Sequence, residues 1–212
     1  MRRGRRKAKN PEVARRILDS AERHFAAQGM AGARTDEIAT DARANKAMLY
    51  YYFGDKDHLH RAVLENLFRQ LRQNVFGTPD KEKSPREQLF AIALGYFDFL
   101  ATHPNYPRLV QREAMEAGSN FAWIAREYLR PFHKKMAQTI EAGITSGEIR
   151  RVDPDHAAFT VLGSVVSYFA AAPILSEIIG RNLLAPREVA ARKVALLDFL
   201  DHALTAKGAK GS

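Results

Sequence analysis

A 212-residue chain that is 46% hydrophobic and 27% charged has the composition of a soluble globular protein, and it is long enough to bury a core without covalent staples. It contains no cysteine, which excludes disulfides, thiolate zinc sites, iron–sulfur clusters and cysteine nucleophiles, and fits a reducing cytoplasm, where we expect the protein to act. The formal net charge of +9 is unevenly placed: residues 1–10 carry Arg2, Arg3, Arg5, Arg6, Lys7 and Lys9 with no acid, residues 11–56 balance seven basic against seven acidic side chains, and the rest supplies +3.

The arm 1–10 reads either as a phosphate-tracking segment or as a solubilising tail. It runs into Pro11-Glu12 rather than an apolar stretch, so no secretion signal is expected. Asn10 is placed to cap a first helix with Pro11 at its first position, and Val13, Ile17, Ala21 and Phe25 give it one apolar face. The helix should stop at Gln28-Gly29, followed by a loop to Arg34. Thr35 reads as the cap of a very short helix, with Asp36 and Glu37 in its first turn and Ile38 and Ala39 on its buried side. A tight turn at Arg43-Ala44 leads to Asn45, the cap of a third helix that ends at Phe53-Gly54. Asp55 caps a long fourth helix through Leu59, Val63, Leu67 and Leu71.

Gly77–Pro85 is the clearest internal break. Beyond it we expect a fifth helix over Pro85–Thr102, a sixth over Pro104–Ala117, a seventh over Asn120–Ser146 kinked at Pro131, an eighth over Pro154–Gly180 and a ninth over Pro186–Ala206, with a frayed tail at 207–212. The uncharged stretch Ala157–Leu175 is nearly long enough to span a bilayer. Its serines, Thr160, Tyr168 and Pro173 favour a buried helix in a soluble core, with no membrane partner. The fold class is therefore all-α, about nine helices: a helix-turn-helix domain at 11–56 and a larger helical domain at 57–206.

Two short helices joined by a tight turn, Thr35 to Phe53, suit a DNA major groove about 12 Å wide, the second entering it and the first bracing it. Ile38, Ala39, Leu49 and Phe53 supply the bracing contacts. Lys46 suits a phosphate, Ala47 lets backbone approach closely, and tyrosine hydroxyls suit phosphate oxygens. Thr35 and Lys56 begin helices whose open N–H groups attract phosphate. Tyr50-Tyr51-Tyr52-Phe53 could be a core cluster, but successive helical residues turn by about 100°, so at least one ring, Tyr51 first, must face outward.

Thr35-Asp36-Glu37-Ile38-Ala39, followed by Asn45-Lys46-Ala47-Met48-Leu49-Tyr50-Tyr51-Tyr52-Phe53-Gly54-Asp55-Lys56, closely resembles the tetracycline-repressor-like (TetR) family of bacterial regulators. Ile17-Leu18-Asp19-Ser20-Ala21, Phe25 and Gly29 resemble its first helix, and Gly143–Arg150 with Asp153-Pro154 a recurring turn. The resemblance implies phosphate contacts from Thr35, Asn45, Lys46, Tyr50 and Lys56. It places Ala47, Met48 and Tyr51 nearest the bases of a palindromic operator. Arg43 stands where the family usually has glycine, which calls for a positive φ or a different turn, and could add a phosphate contact.

The resemblance further implies a homodimer through helices near 154–180 and 186–206. Thr160, Gly163, Ser164, Ser167, Ala170 and Ala171 form a small-residue stripe, and Val189, Val194, Leu197, Leu200 and Leu204 an apolar side; packing inside one chain is the alternative. For a small-molecule effector the candidates are Phe97, Met115, Phe121, Trp123, Tyr128, Phe132, Met136 and Tyr168, which could equally be plain core; His103 and His133 are possible polar anchors. No cofactor, metal site or catalytic motif is expected. The rival readings are an enzyme, a non-specific DNA binder using the arm, and an adaptor built on the same scaffold. The effector would release DNA by preferring the state that does not fit it. The expected arrangement is a repressor released by an inducer, with activation or co-repression by the ligand as the alternatives.

Overall fold

The structure is a computed structural model that describes residues 10–76, 82–116 and 119–206. The arm 1–9, most of the break at 77–85, Ala117 and the tail 207–212 lie outside the described residues. Two compact units divide at 68/69.

The first unit holds α1 (Pro11–Gly32), α2 (Thr35–Asp41), α3 (Lys46–Phe53) and the start of α4 (Lys56–Phe76). Asn10 accepts from the Glu12 amide and Pro11 follows, as the sequence predicts. The helix does not stop at Gly29. It kinks there, at φ 72, and makes one more turn to Gly32, because glycine carries the left-handed conformation without a Cβ penalty. Thr35 is the first helical residue of α2 rather than its cap; Arg34 holds the cap position without a side-chain bond. Asn45 does cap α3, accepting from the Met48 amide at 2.8 Å, and Asp55 accepts from the His58 amide at 2.8 Å.

Ile17, Phe25, Ile38, Leu49, Leu59 and Leu64 are fully buried and form the core of this unit. The sequence reading placed the domain boundary after Lys56, but Leu59, His60, Val63, Leu64 and Leu67 on α4 are buried here too. His60 meets the edge of Phe25 at 4.7 Å, and burial pushes its imidazole down to about 4, so it is neutral at pH 7. Ser20, also buried, donates to the Ile38 carbonyl at 2.9 Å and to Asp41 at 2.7 Å. These bonds lock α1 to the end of α2. With Arg23, they hold the Asp41 carboxyl below the usual carboxylate range.

The second unit contains the rest of α4, α5 (Pro85–Thr102), α6 (Tyr106–Glu116), α7 (Ser119–Ile124), a π-helical turn (Ala125–Leu129), α8 (Arg130–Thr145), α9 (Pro154–Ile179) and α10 (Pro186–Leu204). The expected seventh helix is therefore three segments. Pro131 has no N–H to give, and the chain answers with a wider turn just before it, where the Arg130 amide reaches the Ala125 carbonyl. Ser84 and Glu87 form a capping box at the start of α5. The core is the meeting of α5, α8 and α9 through Leu89, Phe97, Leu100, Met136, Ile140 and Val165.

The turn after α8 is as tight as its sequence suggests. Gly147 has φ 79, and Ile149 folds over Gly143 so closely that a Cβ there would lie 2.5 Å from the Ile149 Cδ1. Ile149 also pairs in an antiparallel bridge with Thr205. Beside it, Arg86 at the start of α5 donates to the Thr205 hydroxyl at 2.9 Å and to Asp201 on α10. This clasp joins three distant parts of the chain.

Asp153 caps α9 and Gly180 ends it at φ 76. By length and composition alone, Pro154–Ile179 could cross a membrane, the one such helix among the described residues. The expectation of a buried helix holds for one side only. Ala158, Val161, Val165, Phe169 and Ala172 are buried, while Phe159, Ile174, Ile178 and Ile179 are exposed. On α10 the inward residues are Leu196, Leu200 and Leu204, and Val194 (69% exposed) and Phe199 turn outward. The predicted apolar side, which placed Val194 and Leu197 with Leu200, is thus rotated.

Candidate nucleic-acid interface and effector residues

The surface of α3 follows from what α2 buries. Ile38, Ala39 and Leu49 close the contact between the two short helices, with Phe53 half-buried. Once Leu49 points inward, helical periodicity turns Tyr50 and Tyr51 out, and they are 41% and 53% exposed. Lys46 and Ala47 are exposed beside them and Met48 is half-buried. The expectation of at least one outward ring in the aromatic run is met by two. The turn that sets this geometry contains Arg43 at φ 51. An arginine takes the left-handed conformation where glycine would do so without strain.

The polar candidates are already engaged within the unit. The Asn45 side chain is committed to its cap. Lys46 Nζ lies 2.8 Å from Asp36 Oδ1, and this hydrogen-bonded pair raises the lysine above its ordinary value. Thr35 Oγ1 and Tyr50 Oη are 3.5 Å apart, and Lys56 Nζ donates to the Ala31 carbonyl at 3.2 Å. Thr35, Asn45, Lys46, Ala47, Met48, Tyr50 and Tyr51 are all on α2, α3 or the turn that joins them, and Lys56 opens α4. Two residues were missed. In sequence Asp36 marks only a helix start that suits the dipole. Tyr52 was given no role, yet its hydroxyl accepts from the Asn10 amide at 2.8 Å, at the root of the basic arm. Neither contact has a signal in sequence, because each depends on how separate helices pack.

In the second unit the effector candidates are spread over α5, α6, α7, the π-helical turn, α8 and α9. Phe97 is fully buried against Phe169 (5.0 Å) and Tyr168 (6.4 Å). Tyr168 spends its hydroxyl on the Leu183 carbonyl, at 2.6 Å. Phe132 packs on Tyr96, Trp123 meets Tyr128 edge-on at 5.4 Å, Met136 is buried and Phe121 half-buried. Met115 does not join them: it is 77% exposed, on the solvent side of α6. His103 stacks on Phe99 and reaches Gln70 at 3.1 Å, while His133 lies against Phe159.

Tyr96, Tyr106 and Glu113 are buried polar groups the sequence reading overlooked. Burial pushes both tyrosines up, and they hydrogen-bond each other. Tyr106, Leu109 and Glu113 fall on one helical face, a spacing that marked the buried side of α6. An open cleft of 590 Å³ lies elsewhere, lined by Ala172, Ser176, Glu177, Arg181 and Leu184 among others, and contains none of the candidates. No group of three or more metal-ligating side chains occurs among the described residues.

Residues 17–63 match the family described as bacterial regulatory proteins, tetR family, and residues 85–200 match the tetracyclin repressor-like C-terminal domain. The transcriptional repressor SCO4008 of Streptomyces coelicolor is 39% identical over 113 residues, 53% of this chain and 55% of that one. The transcriptional repressor NicS of Pseudomonas putida is 29% identical over 102 residues, 48% of each chain. The chain thus spans about half the length of these curated relatives. Among solved structures, the ketosteroid transcriptional regulator KstR2 of Mycobacterium tuberculosis shares the fold, with a TM-score of 0.76 over 97% of this chain and 100% of that one at 17% identity. AibR, solved with isovaleryl coenzyme A and operator DNA, gives 0.65 over 74% and 85% at 25% identity.

Proposed function

The chain belongs to the TetR family, and from that premise we propose that it is a homodimeric, sequence-specific DNA-binding repressor that a small-molecule effector releases from a palindromic operator. The observation that carries this reading is the outward face of α3, where Tyr50 and Tyr51 are exposed while Leu49 is fully buried. Large aromatic rings left in solvent beside a lysine suit a polar, stackable, anionic partner. In this reading Thr35, Asn45, Lys46, Tyr50 and Lys56 meet phosphates, Arg43 adds a further phosphate contact from the turn, and Ala47, Met48 and Tyr51 meet base edges. SCO4008 and NicS are repressors, which supports the sign of regulation, and AibR was solved with both a ligand and an operator. We assign the chain no catalytic step and no cofactor, and place it in the cytoplasm with its DNA.

The exposed apolar side chains of α9 and α10 supply the dimer interface in this proposal: Phe159, Ile174, Ile178, Val194 and Phe199. The two α3 helices of the dimer then read half-sites about 34–36 Å apart. The effector binds among the aromatic side chains of the second unit, drawn from Phe97, Phe121, Trp123, Tyr128, Phe132, Met136 and Tyr168. It releases DNA by binding the non-DNA state more tightly. Selection of bound duplexes from a random pool at near-physiological salt tests the reading. An enriched inverted repeat is the expected result, and uniform, salt-dominated binding would overturn it.

A further inference from the structure

Lys46 and Asp36 are ten positions apart in sequence and are brought together by the packing of α3 on α2. Asp36 is the second residue of α2 and Lys46 the first of α3, and their charged ends sit 2.8 Å apart with both side chains about half exposed. Arg15–Asp19, Arg16–Glu12 and Arg61–Glu65 each run along a single helix, and Arg23–Asp41 joins α1 to the end of α2. The Lys46–Asp36 pair instead lies across the two helices that form the face assigned to DNA. A carboxylate there is poorly placed for affinity, since it repels every phosphate that approaches.

We propose that Asp36 is a specificity-determining residue: it is the resident counter-ion of Lys46, so that a phosphate reaches Lys46 only by exchange with a carboxylate. The inference rests on the DNA-binding reading of α2 and α3. A lysine without such a partner adds the same attraction to every duplex and releases one condensed counter-ion from DNA. A lysine already paired adds little, because the displaced carboxylate must take up a cation of its own. The hydrogen bond that Lys46 donates to Asp36, more than the carboxylate's charge at a distance, strengthens the lysine's hold on its proton, and Arg34 weakens it slightly. By suppressing a contact common to all sequences, Asp36 leaves Ala47, Met48 and Tyr51 a larger share of the difference between operator and other DNA.

The test measures binding of the full chain to a random-sequence duplex and to the selected duplex across a salt series. Wild type, Asp36→Asn, Lys46→Ala and the double variant are compared. Asp36→Asn is expected to steepen the slope of log K against log salt by about one and to tighten binding to random DNA roughly threefold or more, with a smaller gain on the selected duplex. Lys46→Ala alone leaves the slope near wild type, and in its background Asp36→Asn loses its effect. An unchanged slope in Asp36→Asn, or an equal gain with and without Lys46, overturns the proposal. Asp36→Ser, run in parallel, guards against loss of fold in a single variant. A wild type that binds all duplexes alike would sink the parent reading and with it the specificity role, while the salt series still decides whether a phosphate reaches Lys46 by exchange with Asp36; no binding to any duplex would sink both.

Discussion

Among the helices that leave large side chains in solvent, α3 and α9 do so with different chemistry. On α3 the exposed rings are Tyr50 and Tyr51, each with a hydroxyl, next to Lys46 and Thr35. On α9 they are Phe159, Ile174, Ile178 and Ile179, which have no polar atom to offer. The first surface gains by meeting something hydrated and charged, while the second gains only by meeting something as apolar as itself. The same difference separates the units they belong to. In the first, Asn45, Lys46 and Tyr50 on and beside α3 are each held by a polar contact within the unit. In the second, the buried side chains where α5, α8 and α9 meet are mainly aromatic and aliphatic.

The largest effect we expect comes from spoiling the apolar surface. Val194→Asp with Phe199→Asp should give a monomer by sedimentation and weaken operator binding by about two orders of magnitude or more, since a single head keeps only half the contacts. A variant that stays dimeric moves the interface off α10. The next concerns His60 in the head. Its folded-state pKa of about 4 lies below the ordinary 6.5. The unfolded chain therefore takes up a proton first, and stability that is complete above pH 6.5 is lost as pH falls towards 4. The loss should reach roughly 3 kcal/mol. Urea midpoints between pH 7 and 4 measure it, and His60→Phe should flatten the curve.

A smaller effect tests the polar surface itself. Tyr51→Ala should cost about 1–3 kcal/mol of discrimination at one position of the operator while leaving helicity intact. A uniform loss across sequences would make Tyr51 a backbone contact. The smallest effect is a gain. Arg43→Gly relieves the φ of 51 and should stabilise the head by about 1 kcal/mol in thermal melts, with weaker DNA binding if Arg43 meets a phosphate.

The head was the more legible region, because its signals are local. Asn10-Pro11, Asn45 and Asp55 each act within three residues, and the spacing from Thr35 to Lys56 carries the motif intact. What escaped was set by packing between helices. Gly29 reads as a stop, and only the continued turn to Gly32 makes it a kink. Asp36 suits a helix start by its dipole alone, so its bond to Lys46 has no trace in the sequence. In the second unit the alternation on α10 allows two rotations, and the choice of Leu196 over Val194 is made by the neighbours it meets. Met115 fits the aromatic list by composition, but Tyr106, Leu109 and Glu113 claim the inner face of α6 and leave it outside.

The clasp at Arg86 has a bearing on how the molecule is made. Its partners stand 115 and 119 positions further along, at Asp201 and Thr205. Contacts of such separation are slow to find, since a long loop must close first. The head is complete within the first 68 residues and can fold while the ribosome is still extending the chain. The clasp of the second unit cannot form until its last helix has been synthesised. The first unit is therefore finished well before the second.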